Sequence, residues 1–192
     1  MRFKKLGTLA LLLTILTGCA GTELAKPSQK ALDFRTALMD AGGCRFTADV
    51  TADYGARVYA FTLDCDYIVD GEAHLTVTAP ENIAGITATV SYDGAAVEFD
   101  GAALDFGQMA NGYVAPLAAP WLLGNCWTAE YISSAGPDGD LERVTYLQGY
   151  NEEELTMDTW LDQTGTPVRC EISWNGSRCL TVDLTNFQFG MS

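Results

Sequence analysis

The chain is poor in the side chains that most often do chemistry. It has one histidine, His74, in 192 residues. A Ser-His-Asp or Cys-His device needs a base held by an orienting group at hydrogen-bond range. No nucleophile turn stands in the sequence to receive one, so His74 reads as a surface residue in mid-strand and the chain as no enzyme. The six cysteines show no Cys-x-x-Cys spacing, which removes the common zinc frameworks. No lysine follows Lys30. Carboxylates outnumber the 11 basic residues at 25, giving a formal charge of −14. So acidic a surface argues against nucleic acid and against an electrostatic grip on anionic lipid. No cofactor motif and no metal-ligand ladder occur. The cluster Asp138-Gly139-Asp140 with Glu142 lacks the full set of a calcium loop. Asp64-Cys65-Asp66 and Glu152-Glu153-Glu154 read as solvated charge. The apolar run Leu6–Leu16 is about half the roughly 20 residues that span a bilayer.

That short run has its own meaning. It follows Arg2, Lys4 and Lys5 and ends in Leu16-Thr17-Gly18-Cys19. A basic start, an apolar segment and small residues before a cut site make a secretory signal peptide. A cysteine just after the cut makes it a bacterial lipobox. Residues 1–18 are expected to leave, and the thiol of Cys19 to carry a diacylglycerol that holds the protein to the outer side of the cell membrane. The remaining 174 residues carry eight basic and 25 acidic side chains, a net −17. Residues 19–26 read as a tether and 27–192 as one domain, with no internal repeat and no dividing linker.

The domain opens as a helix and continues as strands. Pro27 suits a first turn, Ala31, Phe34 and Leu38 form one stripe, and Gly42-Gly43 ends the helix. From Cys44 the period falls to two. Strands are expected at Cys44–Ala52, Arg57–Val69, Glu72–Ala79, Ile86–Tyr92, Ala96–Phe99, near Leu104, at Ala129–Ser134, Leu141–Tyr150, Glu154–Asp162, Pro167–Trp174 and Arg178–Phe189. Turns recur every 8 to 12 residues, the mark of an antiparallel sheet, sandwich or barrel. Gly136-Pro137-Asp138-Gly139 reads as one of them, and Asn175-Gly176 as another. A two-residue loop at Tyr54-Gly55 would oppose Val50 to Tyr59, Ala48 to Phe61, Phe46 to Leu63 and Cys44 to Cys65. Directly opposed cysteines reach disulfide distance, and the oxidising compartment permits the bond. Cys170 and Cys179 flank a later hairpin and are also expected to pair. A three-residue loop would aim Cys179 at the opposite face, which a bulge would repair. A bond from Cys126 to Cys170 is the alternative. The dense apolar stretch Gly107–Trp127 breaks the rhythm, and a helical segment is expected near Pro116–Asn125, across the sheet.

This layout resembles the LolA-like lipoproteins, including the lipid-anchored germination lipoproteins of spore-forming bacteria. The phrases Phe46-Thr47-Ala48-Asp49-Val50, Leu75-Thr76-Val77-Thr78-Ala79-Pro80 and Pro116–Trp121 carry the resemblance. It implies an α+β, mainly β fold: a curved antiparallel half-barrel with the N-terminal helix and the mid-chain segment on its concave side. It implies binding of a lipid or a lipoprotein acyl chain in an apolar hollow. The aromatic and aliphatic residues Phe46, Tyr59, Phe61, Leu63, Trp121 and Trp160 are the candidate lining. The alternative is an anchored scaffold for a protein partner in envelope or germination processes, with the sheet filled. The first reading expects a sizeable cavity beneath Pro116–Trp127. The second expects none.

Overall fold

The structure is a computed structural model that describes residues 28–99, 102–106, 109–110, 113–149 and 154–190. The signal peptide, the tether with Cys19, Pro27 and the pair Glu152-Glu153 lie outside the described residues. Helix α1 runs Gln29–Ala41. Ser28 caps it, its hydroxyl accepting from the Ala31 amide at 3.1 Å. Gly42 ends it in the left-handed region at φ 72°, donating to the Met39 carbonyl. The expected stripe of Ala31, Phe34 and Leu38 is the buried face.

Strands β1 (Gly43–Asp53), β2 (Val58–Ile68), β3 (Ala73–Ala79), β4 (Thr87–Ser91), β5 (Gly94–Phe99) and β6 (Ala102–Phe106) then run as a meander. A small hairpin of β7 (Met109–Ala110) and β8 (Tyr113–Val114) follows. Pro116–Ala118 makes one turn of 3-10 helix, leading into α2 (Ala119–Thr128), with Pro120 in its first turn. The chain closes with β9 (Ser134–Asp138), β10 (Leu141–Gln148), β11 (Leu155–Leu161), β12 (Pro167–Trp174) and β13 (Ser177–Phe189). Eleven strands form one antiparallel sheet in the order β6-β5-β4-β3-β2-β1-β13-β12-β11-β10-β9. The first and last strands therefore meet at its middle. The sheet is curved and does not close, as the half-barrel expectation required.

Three local expectations need correction. The β1–β2 loop holds four residues, 54–57, because Asp53 pairs with Val58. Its carboxylate accepts from the Gly55 amide at 2.8 Å, and Gly55 takes φ 76°. The register is thus displaced by two: Val50 faces Phe61, Ala48 faces Leu63, Phe46 faces Cys65 and Cys44 faces Tyr67. A shift of two keeps every side chain on its face but separates Cys44 from Cys65. The expected Ala129–Ser134 strand is instead β9, Ser134–Asp138, which absorbs the Gly136-Pro137 pair read as a turn. Proline is tolerated there because β9 is an edge strand and needs no second ladder partner. The β12–β13 connection is the two-residue turn Asn175-Gly176, both with positive φ. A bulge after Ile172 then brings Cys179 inward, and Cys170 pairs with Val182.

Candidate functional site

The inner face of the sheet is where the sequence placed a binding hollow. Helix α2 lies on it. Eight of its ten residues are buried, from Ala119 to Gly124 and again at Cys126 and Trp127. A helix apolar on every side has to be enclosed. Its aromatic polar atoms are answered. Trp121 Nε1 donates to the Gly71 carbonyl at 3.1 Å, and Trp127 Nε1 donates to Thr159 Oγ1 at 2.9 Å. Tyr67 Oη donates to Asn125 Oδ1 at 3.0 Å. The closest approach is at Gly124: a methyl group there would sit 2.4 Å from the Tyr67 ring. Only glycine lets the helix settle so near the sheet.

An aromatic knot seals the end nearest α1. Phe34 meets Trp127 edge-on at 5.7 Å and Phe187 at 5.8 Å; Phe46 meets Trp127 at 5.7 Å and lies parallel to Phe187 at 6.1 Å. Asn186, at φ 55°, marks the β13 irregularity opposite Arg45–Thr47, next to Phe187.

The six candidate lining residues therefore divide. Phe46, Leu63 and Trp121 are together in the packed core. Phe61 is only partly buried, and Tyr59 is 46% exposed, because α2 does not reach that end of β2. Trp160 lies on the outer face, not the inner one, and belongs to no common lining with the rest. There its ring lies between the Arg143 and Arg169 guanidiniums, each 5.6 Å from its centre. Its Nε1 donates to Asp138 Oδ2 at 2.7 Å. Arg143 pairs with the buried Asp158 carboxylate at 2.7 Å, which also accepts from Thr145. Glu171 receives both Arg169 and Arg178, at 2.6 and 2.9 Å. Strand alternation carries the outward placement, since Trp160 shares parity with Thr156 and Asp158 and not with Leu155, Met157 and Leu161. The arginines at 143 and 169 were the second signal.

The five described cysteines are buried, and no disulfide joins any two of them. Neither expected disulfide is formed. Cys44 faces Tyr67 and Cys65 faces Phe46, so they are diagonal neighbours. Cys179 donates to the Ile172 carbonyl at 3.3 Å, whereas Cys170 meets Thr159 Oγ1 at 3.4 Å. Cys126 donates to Met157 Sδ at 3.3 Å. Burial, followed by the Asp66 charge, pushes the Cys44 thiol up to about 12. Burial does the same at Cys126 and Cys170, each about 12. Such thiols carry almost no thiolate near neutrality and are inert.

His74 stands half-exposed on the outer face of β3, Nε2 3.0 Å from Glu72 and Nδ1 3.3 Å from Thr89 Oγ1. No group of three histidine, cysteine or acidic side chains among the described residues could hold a metal. The acidic clusters disperse: Asp64 accepts from Thr47, Asp66 lies 3.7 Å from Arg45, and Glu142 lies 3.8 Å from Lys30. Among the described residues no helix is long and apolar enough to cross a membrane.

No family model and no curated protein matches the chain. Solved structures resemble it in layout. One is a LolA superfamily protein from Nitrosomonas europaea, 10% identical over 83% of this chain and 94% of that one, TM-score 0.45. Another is the Mycobacterium tuberculosis lipoprotein LppX, 11% identical over 86% and 99%, TM-score 0.41. A third is a chain of the CwlD amidase–GerS lipoprotein complex from Clostridioides difficile, 14% identical over 85% and 97%, TM-score 0.42.

Proposed function

We propose that the chain is a LolA-like lipoprotein; its open, curved antiparallel sheet with two helices is the layout the sequence implied. We propose that the protein is a lipid-anchored, extracytoplasmic binding protein that engages a partner protein at the envelope and does not carry lipid inside its sheet. In this reading residues 1–18 are a signal peptide and Cys19 takes the diacylglycerol. Residues 19–26 are the tether, and 27–192 the body outside the membrane. One observation supports the choice between carrier and scaffold: α2 packs on the inner face so closely that Gly124 has no room for a methyl group against Tyr67. Opening that interface for an acyl chain would expose Trp121, Leu123 and Trp127, each worth roughly 1.5–3 kcal/mol of burial.

A second reading keeps an apolar ligand at the uncovered end. It has support in a shallow hollow of about 280 Å³ lined by Val50, Phe61, Ala79 and Pro80, among others. Native mass spectrometry of the body after exposure to phospholipid vesicles separates the two. The partner reading expects the bare protein mass; a retained lipid supports the carrier. Mass analysis of the mature N-terminal peptide tests the anchor: a diacylglyceryl adduct on Cys19 is expected, and a chain still carrying residues 1–18 contradicts it.

A further inference from the structure

The strand registers put the 54–57 loop and the Asn175-Gly176 turn at one end of the sheet. Asp53, Tyr54, Trp174, Ser177 and Arg178 line a hollow of about 360 Å³ between them. Beside it Val58 is 60% exposed and Tyr59 46%, with the Tyr54 and Tyr59 rings 6.2 Å apart. Arg57 donates to Tyr59 Oη at 3.5 Å and makes no salt bridge among the described residues. An exposed guanidinium without a carboxylate is notable on a body of net −17. Tyrosine, tryptophan and arginine around a small hollow are the residues that anchor protein interfaces.

The chain enters the body away from this rim. Lys30, in the first turn of α1, donates to the Asp162 carbonyl at 2.9 Å, and Asp162 begins the loop joining β11 to β12. The ladders set the Leu161–Pro167 pair before that loop level with about Thr47 of β1, roughly 20 Å from Asp53.

Resting on the partner-binding reading, we infer that this distal rim is the docking surface for a partner protein. The partner inserts an apolar side chain into the hollow between Tyr54 and Trp174 and sets a carboxylate against Arg57. The test is photo-crosslinking in cells carrying the full chain, with p-benzoylphenylalanine in place of Tyr59, of Thr89 or of Trp160. The expected result is a protein adduct from position 59, reduced at least tenfold by Arg57→Glu, with the melting temperature unchanged. Its crosslinked peptide carries an aspartate or glutamate beside an apolar residue. An adduct insensitive to Arg57→Glu, a second copy of the chain, or lipid alone overturns the rim. Protein adducts from 89 or 160 but not 59 also overturn it, while leaving a partner elsewhere on the body. Absence of protein adducts at all three positions removes the partner reading as well.

Discussion

The inner face of β2 has two ends that differ in fate though not in pattern. Leu63 and Tyr67 at one end are buried; Tyr59 at the other is nearly half exposed, although its β1 partner Ala52 is buried. The strands alternate in the same way throughout. What differs is the cover. Helices α1 and α2 lie on the first end, and small buried residues, Ala118 in the 3-10 turn and Ala119 and Gly124 in α2, let the helical piece settle there. Among the described residues nothing comparable covers Tyr59. An apolar stripe on a strand therefore specifies a face, and only the covering element decides whether that face becomes core or surface.

The largest test of this contrast is Trp127→Ala. The indole packs with Phe34, Phe46 and Phe187 and is fully buried. Its loss is expected to cost about 3–5 kcal/mol in denaturant unfolding. A cost below about 1 kcal/mol would mean the covered end is loosely packed.

Alkali acts next. Folding holds Cys44, Cys126 and Cys170 near 12, above an ordinary thiol value of 9.0. A raised acid favours the folded state while it stays protonated. That stability is complete below pH 9 and falls as pH rises toward 12. By about pH 10 each thiol is expected to remove about 1 kcal/mol. Equal denaturant midpoints at about pH 8 and pH 10 would contradict the burial. The same thiols are expected to resist alkylation until the protein unfolds.

Gly124→Ala is smaller, because the helix gains by the change what the clash with Tyr67 partly takes away. A net destabilisation of about 1–2 kcal/mol is expected. A stabilised variant would show slack between α2 and the sheet. Tyr59→Ser at the uncovered end is expected to change stability by less than about 0.5 kcal/mol. A larger loss would make Tyr59 part of the core.

Much of the fold was legible because its signals are local. Gly42-Gly43 stops α1, alternation marks β1 to β3, and Pro116 and Pro120 open the two helical pieces. Register was not legible. A four-residue loop closed by the Asp53 carboxylate looks like a two-residue one until its hydrogen bonds are known, and that shift undid the Cys44–Cys65 pairing. At Cys179 the sequence showed a parity conflict that a bulge resolves, but not the neighbour the thiol would meet. Trp160 is the opposite case on the other face: its ring suggested lining, while its parity in β11, legible in the sequence, turns it outward, where Arg143 and Arg169 across the strands make it part of an outer ion-pair lattice.

Backbone amide exchange across Ala119–Thr128, with and without phospholipid vesicles, tests the filled interior most directly. Helix α2 is expected to exchange only with global unfolding, at the same slow rate in both conditions. Fast exchange, or exchange that changes when lipid is added, would show that the helix lifts from the sheet and would contradict a permanently filled inner face.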